Sequence, residues 1–229
     1  MSSEQISPNF QRVRLAGGFH AFGEPGAGLH FRLLFGPKNA GWLLLDEDGL
    51  TDWPGGVKAW HRPPYSLRRL SVDLNWIDID VVLHDGGRVT DWCRAVQSGT
   101  EIALTGPSGS KQPTANHLLL MGDETALPVI LKMFEAAGTG TKGTAVIMVR
   151  DPLDIQSVET ASDIEVTWQV GFDLKPLRDA VSRQTLPEGD RHVFFAGERA
   201  MASDMRAHFL GVGLPASDFK SASYWSRSS

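Results

Sequence analysis

The 229-residue sequence contains a single cysteine, Cys93, which excludes an intrachain disulfide and a cluster of thiolate metal ligands. No stretch approaches the roughly 20 apolar residues of a membrane-spanning helix, and the N-terminus lacks the basic-then-apolar order of a signal peptide. The formal net charge is −5, whereas a sequence-independent nucleic-acid binder needs a basic excess. We therefore expect a cytoplasmic monomer with no membrane span and no nucleic-acid partner.

Two common catalytic signatures are also missing. The sequence has no Gly-x-Ser-x-Gly nucleophile elbow, which gives a hydrolase little support. Its seven histidines show no His-Glu-x-x-His or similar spacing, so we expect no metal site within the protein. No side chain is predicted to act as a catalytic acid, base or nucleophile.

The first half of the chain has the pattern of short strands. Apolar or alternating runs are separated by Gly, Pro and Asp, which is typical of an antiparallel barrel or sandwich. One helix is predicted to begin at Thr90 as its N-cap and to end before Gly99. The predicted strands are 29–35, 41–45 and 76–83.

The second half alternates strands with helices and predicts a parallel sheet wrapped by helices, the usual nucleotide-binding layout. The turn-rich segment 106–113 separates the halves, so the domains are predicted at 1–110 and 111–229. The predicted strands are 117–121, 144–149, 166–170 and 192–196; helices are expected after the first strand, over 175–183, and around Met201, Met205 and Phe209.

The segment Gly138–Gly143 spells Gly-x-Gly-x-x-Gly but does not fit a dinucleotide fingerprint. That fingerprint requires a strand before the glycines and a helix after them, so that the pyrophosphate meets a helix N-terminus. Here the predicted helix comes first and the strand follows, which favours a flexible connecting loop.

Three other segments carry residues suited to ligands. Gly122–Pro128 follows a buried strand, and Asp123 or Thr125 can cap the next helix; helix capping alone explains Gly122 to Glu124 poorly. In 83–90, two glycines allow close backbone approach and Arg88 adds positive charge, which suits an anion such as a pyrophosphate, although a simple turn fits equally well. In 62–69, an aromatic side chain is followed by a hydroxyl: the ring can stack on a planar group, and the hydroxyl can hydrogen-bond to the edge of that group. An edge strand with a solvated basic face is the more common arrangement for such a segment.

In this order the motifs resemble the siderophore-interacting protein family of the ferredoxin reductase-like superfamily. Tyr65–Arg68 is similar to its Y-[ST]-x-R, and Ile79–Trp92 to its D-x-V-L-H-G-x-G-P-A-S-x-W. Gly122–Pro128 matches G-D-E-T-A-L-P, the most specific of these motifs. Ala196–Glu198 and Tyr224–Trp225 are similar to the family's A-G-E and C-terminal Y-W.

The resemblance implies an N-terminal antiparallel β-barrel that holds FAD and a C-terminal α/β domain for NADPH or NADH. Tyr65 would lie on the isoalloxazine, and Ser66 would hydrogen-bond near its reactive edge. Thr125 would approach the flavin from the second domain, while Asp123 and Glu198 would border the nicotinamide cleft. The pyrophosphate would be surrounded by His84, Gly87, Val89 and Thr90, and the cofactor contacts would also include Pro64, Val82, Leu83 and Ala126.

The sequence departs from the family pattern at the expected phosphate-binding arginine. Pro63 occupies the position two before Tyr65, and Arg88 replaces a usual proline, so Arg62 and Arg88 are alternative partners of the FAD phosphates. Arg150, after the second strand of the nucleotide domain, is a candidate for a 2′-phosphate or is simply a solvated arginine. A basic rim for an anionic ferric chelate would comprise Lys38, Arg68, Lys111 and Arg227.

The implied activity is electron transfer from NAD(P)H through FAD to Fe(III) in a siderophore or other chelate. Reduced ferredoxin is a further possible electron source. The alternatives are a general flavin or ferric reductase, and a flavin-bearing siderophore-binding or sensor protein without reductase activity.

Overall fold

The computed structural model describes residues 1–19, 28–39, 41, 43–45, 51–110, 113–183 and 187–227. The first half is built from antiparallel strands, and the second from parallel strands with helices between them. This is the fold class that the sequence predicts.

Within the described residues, the first half forms three antiparallel sheets and one helix. Its elements are β1 (Ser2–Ser7), β2 (Phe10–Ala16), β3 (Gly28–Leu34), β4 (Leu44–Leu45), β5 (Thr51–Asp52), β6 (Pro64–Ser66), β7 (Arg69–Ser71), β8 (Trp76–Val82), α1 (Arg88–Ala95) and β9 (Ala103–Ser110). The strand orders are β1-β2-β8-β7, β6-β3-β9 and β4-β5. The antiparallel, barrel-like domain is thereby confirmed; of the predicted strand 41–45 only β4 forms, and Trp42 lies outside the described residues.

The pairing of β2 with β8 shows how the alternating sequence gives this sheet. Apolar residues of both strands face a shared core, whereas Arg12 lies opposite Asp80 and Arg14 opposite Asp78. Both arginines bind their carboxylate through two nitrogens, at 2.7 and 2.8 Å. The polar face of β8 is therefore neutralised by its neighbour. The buried core contains Val13, Leu15, Phe31, Leu33, Leu67, Ile77, Ile79 and Val81.

The second half is a parallel sheet with helices packed on it. Its elements are β10 (His117–Gly122), α2 (Leu127–Ala136), β11 (Lys142–Val149), β12 (Asp163–Val170), α3 (Lys175–Arg183), β13 (Arg191–Glu198), α4 (Arg199–Gly211) and β14 (Phe219–Trp225). The order is β12-β11-β10-β13-β14, and all four pairings are parallel. The strand order reverses between β10 and β13, and such a switch point is where open α/β sheets bind ligands, at the carboxyl ends of the strands.

The Gly-x-Gly-x-x-Gly segment is a helix-to-strand loop, as its order predicts. The helix α2 ends at Ala136, and β11 begins at Lys142. The glycines therefore follow a helix C-terminus, which carries carbonyl groups and does not attract a phosphate.

Several features differ from the sequence prediction. The segment 106–113 was predicted as turn, but β9 extends through Gly106 to Ser110, because its backbone pairs with β3 although its small residues give no apolar run. The strands β2, β5 and β7 were also not among those predicted. The strands β1 and β14 were not expected, because their polar and small residues give no apolar run. The helix α1 starts at Arg88 with Gly87 as its N-cap, so Thr90 is not the cap. The Thr90 hydroxyl instead accepts a hydrogen bond from the backbone N–H of His84 at 3.2 Å, closing the preceding loop.

A buried carboxylate joins the two halves. Asp154 has 0% of its surface exposed. It accepts hydrogen bonds from the Ser7 hydroxyl at 2.6 Å and from the backbone and side-chain nitrogens of Asn9 at 3.0 and 2.7 Å. The next residue, Phe10, is buried in the core of the second half together with α2 residues. The N-terminal strands are thus packed against both sheets.

Candidate functional site

Asp123 is the centre of a hydrogen-bond network at the switch point. It follows β10, is 1% exposed, and accepts from four donors. One carboxylate oxygen receives the Thr125 backbone N–H at 2.9 Å and the Thr125 hydroxyl at 2.5 Å. The other receives the Glu198 backbone N–H at 2.8 Å and the Trp225 indole N–H at 2.9 Å. Asp123 therefore joins the carboxyl ends of β10, β13 and β14.

Two glycines make this close approach possible. A Cβ atom on Gly122 would lie 2.6 Å from the Ala126 Cβ and 2.7 Å from the Ala196 carbonyl oxygen. A Cβ atom on Gly197 would lie 2.5 Å from an Asp123 carboxylate oxygen. The glycines in the Gly122–Pro128 and Ala196–Glu198 motifs are thus required by packing, which helix capping alone does not explain.

Glu198 caps the helix that leaves the switch point. Its carboxylate accepts the backbone N–H groups of Ala200 at 2.7 Å and Met201 at 3.2 Å. Burial acts to raise the pKa of Glu198, but hydrogen bonds from the backbones of Met201, Ala200 and Arg227 outweigh it and lower that pKa. The charge therefore lies at the positive end of the α4 dipole.

Replacing Glu198 by glutamine is expected to lower the free energy of unfolding at about pH 7 because the charge–helix interaction is lost. A carboxyl whose pKa is lowered by folding stabilises the fold above its unfolded pKa of about 4.3, and that contribution disappears as the pH falls through the folded value. The difference in unfolding free energy between the two proteins should therefore narrow as the pH falls below about 4.3, as measured by urea unfolding. Glu188→Gln, in an exposed turn, is the control; a gap that stays constant with pH would contradict the assignment.

The aromatic pair at the end of β14 reaches both halves. Trp225 bonds Asp123 in the second half. Burial raises the pKa of the Tyr224 phenol, and the hydroxyl of Ser66, in β6 of the first half, acts in the opposite direction. Tyr65, next to Ser66, also has a raised pKa because of burial. Tyr224 therefore lies near the predicted flavin contact Ser66, and Trp225, the next residue of β14, bonds the predicted nicotinamide contact Asp123.

The loop before α1 has a backbone arrangement that suits the binding of an anion. A Cβ atom on Gly87 would lie 2.4 Å from the His84 imidazole, so glycine is needed for this fold of the loop. The helix begins at Arg88, and the first N–H groups of a helix have no partner within it. His84 is exposed, whereas Thr90 is buried and holds the loop closed. The backbone therefore presents free donors where the sequence predicts a pyrophosphate.

Arg62 and Arg88 belong to neighbouring segments. Arg88 donates to the Gly36 carbonyl at 2.8 Å, and its guanidinium lies 5.4 Å from the centre of the Phe35 ring. Phe35 and His61 form an isolated antiparallel β-bridge, and His61 directly precedes Arg62 in the chain. The centres of the Phe35 and His61 rings are 6.0 Å apart, and burial and the charge of Arg88 both lower the pKa of His61. The segment that carries Arg62 is therefore close to Arg88, while the Arg62 guanidinium lies 5.1 Å from the centre of the Trp53 ring.

Arg150 is engaged within the protein. It forms an ion pair with Glu124 and donates to the Leu83 carbonyl at 3.1 Å. Neither contact was expected from the sequence, because nothing local relates position 150 to positions 83 and 124. Both partners are buried.

One member of the predicted basic rim, Arg68, is engaged elsewhere. Lys38 and Arg227 are exposed, and Lys111 lies outside the described residues. Arg68 is 6% exposed and bonds Glu135 at 2.6 Å, beside a cavity of about 290 Å³ between the halves. Glu135 is in the last turn of the ten-residue helix α2, about 12 Å from its beginning at the switch point. The buried Arg68 therefore pairs with an exposed carboxylate on the far side of the junction and does not border the site.

The remaining predicted contacts line the first half and the start of α2. Leu83, Val89 and Ala126 are buried, Val82 is half-buried and Pro64 is exposed. Sequence reasoning missed the bonding roles of Glu124 and Trp225, although both belong to recognised motifs. Their partners are far away in the chain, so no local pattern could have identified the contacts.

Two family models together match nearly the whole chain. Residues 1–111 match the siderophore-interacting FAD-binding domain, and residues 115–228 match the siderophore-interacting protein model. The chain belongs to the siderophore-interacting protein family.

Individual relatives agree with the family. An NADPH-dependent ferric-chelate reductase of Escherichia coli is 24% identical over 97% of this chain and 89% of its own. The ferric vibriobactin reductase ViuB of Vibrio cholerae is 28% identical over 84% of this chain and 74% of its own. The crystal structure of the siderophore-interacting protein SipS from Aeromonas hydrophila matches with a TM-score of 0.83 at 24% identity, covering 100% of this chain and 90% of that one. The fold is ferredoxin reductase-like.

The residues of the first half fit FAD, the cofactor of this family domain. Arg62 and Arg88 offer positive charge, and the glycine-built loop before α1 offers backbone donors to the phosphates. Tyr65 and Ser66 offer a ring and a hydroxyl for the flavin. Among the residues that the structure describes, no helix is long and apolar enough to cross a membrane.

Proposed function

We propose that this chain is a ferric-siderophore reductase that carries electrons from NADPH or NADH through FAD to chelated Fe(III). The observation that carries the proposal is the position of Tyr224 and Trp225 at the end of β14. Trp225 donates to Asp123 of the second half, and Tyr224 lies near enough to Ser66 of the first half for that hydroxyl to influence its pKa. This arrangement brings the side chains expected at the flavin's reactive edge together with those expected at the nicotinamide cleft. A site of this kind suits transfer between two ring systems.

FAD, when bound, supplies the conversion of a two-electron hydride donor into single electrons for iron. The protein's task is to hold and orient. Tyr65 and Ser66 would fix the isoalloxazine, and the 84–90 loop with Arg62 and Arg88 would hold the pyrophosphate. Thr125, held by two hydrogen bonds to Asp123, would meet the flavin from the second half.

The nicotinamide ring would enter between the two halves at the switch point. Asp123 and Glu198 already accept hydrogen bonds there, so their carboxylates shape the cleft and are not free bases. Transfer of a hydride between two rings would need no proton from the protein. This agrees with the absence of a catalytic acid or base pattern in the sequence.

The iron chelate is the substrate, and its reduction favours release. Hard oxygen ligands bind Fe(III) more strongly than Fe(II), so reduction weakens the chelate. Lys38 and Arg227 are exposed cations available to an anionic chelate. The relatives named as ferric-chelate and ferric vibriobactin reductases support this substrate class.

The test begins with the visible spectrum of the purified protein after reconstitution with FAD. Under anaerobic conditions, NADPH or NADH is expected to bleach the flavin absorbance, and a ferric siderophore should restore it. A chromogenic Fe(II) chelator should report about two Fe(II) per nucleotide oxidised, because a hydride carries two electrons. Ferric citrate in parallel measures the preference for a siderophore.

Each outcome decides between the alternatives. A yellow protein that neither nucleotide bleaches would exclude the reductase and favour a flavin-bearing binding protein. Equal rates with ferric citrate and siderophore would favour a general ferric reductase. A protein that takes up no FAD would overturn both flavin-dependent functions.

A further inference from the structure

One arginine joins three segments of the site. The Nε of Arg150 donates to Glu124 at 2.8 Å, and its Nη2 bonds the same carboxylate. Its Nη1 donates to the carbonyl oxygen of Leu83 at 3.1 Å. Arg150 follows β11, Glu124 follows β10, and Leu83 follows β8 of the first half.

The two partners belong to the loops that face each other across the site. Glu124 lies between Asp123 and Thr125, the residues that organise the switch point. Leu83 is buried immediately before His84, where the 84–90 loop begins, and its own N–H donates to the Asn9 carbonyl at 2.8 Å. The Arg150 side chain therefore connects the expected nucleotide loop with the expected flavin-phosphate loop.

The chemistry of the bridge requires an arginine. Glu124 is 3% exposed, and a buried carboxylate without a cation is costly. The planar guanidinium can bind a carboxylate through two nitrogens and still direct a third group at a carbonyl. A lysine ammonium is a single point of charge and cannot reach both partners in this geometry.

The same contacts bear on nucleotide recognition. A guanidinium that binds a phosphate normally presents two nitrogens to it. The Nε and Nη2 edge of Arg150 is occupied by Glu124, and Nη1 is directed at Leu83. Three of the five guanidinium N–H groups are thereby engaged, so a phosphate could bind only through the two that remain on Nη1 and Nη2.

We propose that Glu124 and Arg150 are positioning residues that hold the two cofactor loops at a fixed separation, and that Arg150 does not recognise a 2′-phosphate. The inference rests on the proposed hydride transfer from NAD(P)H to FAD. Weakening the contacts of Arg150 with Glu124 and Leu83 lowers the rate of flavin reduction by NADPH and by NADH. Both nucleotides depend on the same flavin and on the same separation of the two loops. The nucleotide preference is left unchanged.

Two substitutions test the bridge independently. Arg150→Lys and Glu124→Gln are each expected to lower the rate constant of anaerobic flavin reduction about tenfold, because small misplacements of reacting groups have effects of this order. The loss should be equal for NADPH and NADH, so that the ratio of their kcat/KM values stays within about twofold of the original. Arg178→Lys is the matched control, since Arg178 forms a surface ion pair with Asp204.

A second measurement does not depend on turnover. Hydrogen–deuterium exchange of residues 83–90 should become faster in both bridge variants, with and without FAD, and stay unchanged in Arg178→Lys. A loss confined to NADPH would assign Arg150 to the 2′-phosphate and overturn the proposal. Unchanged rates with both nucleotides would overturn it as well. If the unaltered protein is reduced by neither nucleotide, the proposed function fails, and unchanged exchange would then overturn the bridge separately.

Discussion

Replacing Gly143 by alanine is expected to destabilise the protein by about 4 kcal/mol or more, a loss reserved for severe core disruption. Gly143 lies in β11 opposite Leu118 of the central strand β10. A Cβ atom there would lie 1.8 Å from the Leu118 carbonyl oxygen, and the backbone has a φ of +148°, which side chains rarely adopt. The added Cβ atom would collide with the backbone of β10. Neither β10 nor β11 can move away without losing the hydrogen bonds that pair the two strands. Urea unfolding monitored by far-ultraviolet circular dichroism measures the loss.

The loop that precedes β11 supplies the control. Gly138 begins the Gly-x-Gly-x-x-Gly segment, and an added Cβ atom there would meet nothing within 4 Å. Gly138→Ala should therefore change the free energy of unfolding by less than about 1 kcal/mol. If the two variants proved equally stable, the close approach of β10 and β11 would be contradicted.

Replacing Asp123 by asparagine is expected to cost about 3 kcal/mol, the order of magnitude for disrupting a buried charged acceptor. Each carboxylate oxygen accepts from two donors. An amide offers one acceptor oxygen and turns its NH₂ group towards the other two donors, so no orientation satisfies the site. Asp123→Ala should lose a similar amount. Urea unfolding gives the energy, and hydrogen exchange of β14 should increase because the Trp225 contact is lost.

Asp163 provides a matched substitution in the same half. It begins the edge strand β12 and is exposed. Asp163→Asn should leave both the unfolding free energy and the exchange of β14 unchanged. An Asp123→Asn protein as stable as this control would show that the four-donor network does not form in solution.

The sequence predicts most of the fold because apolar periodicity reports burial directly. The runs at 76–83 and 117–121 became β8 and β10, and the range 175–183 is the observed α3. The strands β1 and β14 were missed because a strand at the edge of a sheet buries few side chains and gives little apolar signal. Thr90 was misassigned as a cap because capping residues also serve loops that fold back on themselves.

Contacts in the site were predictable where both hydrogen-bonding residues belong to the same short motif. Asp123 and Thr125 are two residues apart, and their hydrogen bonds follow from local turn geometry. The contacts of Arg150 and Arg68 were not predictable from the sequence, because each depends on how the two halves pack against each other. An arginine in a sequence shows a charge, but whether that charge meets solvent, a ligand or a buried carboxylate is decided by residues that are distant in the chain.

The burial of Phe10 in the core of the second half affects how the chain folds and how it can recombine during evolution. Residues 7–10 belong to the flavin half by position, yet Asp154 and α2 of the other half enclose them. During synthesis, the first strands emerge long before the segment that buries them, so the first half completes its packing only after the second is made. Recombination between relatives would have to exchange Ser7–Phe10 together with α2 and Asp154. The cohesive unit on which selection acts is therefore the whole chain, although its two sheets look like separable modules.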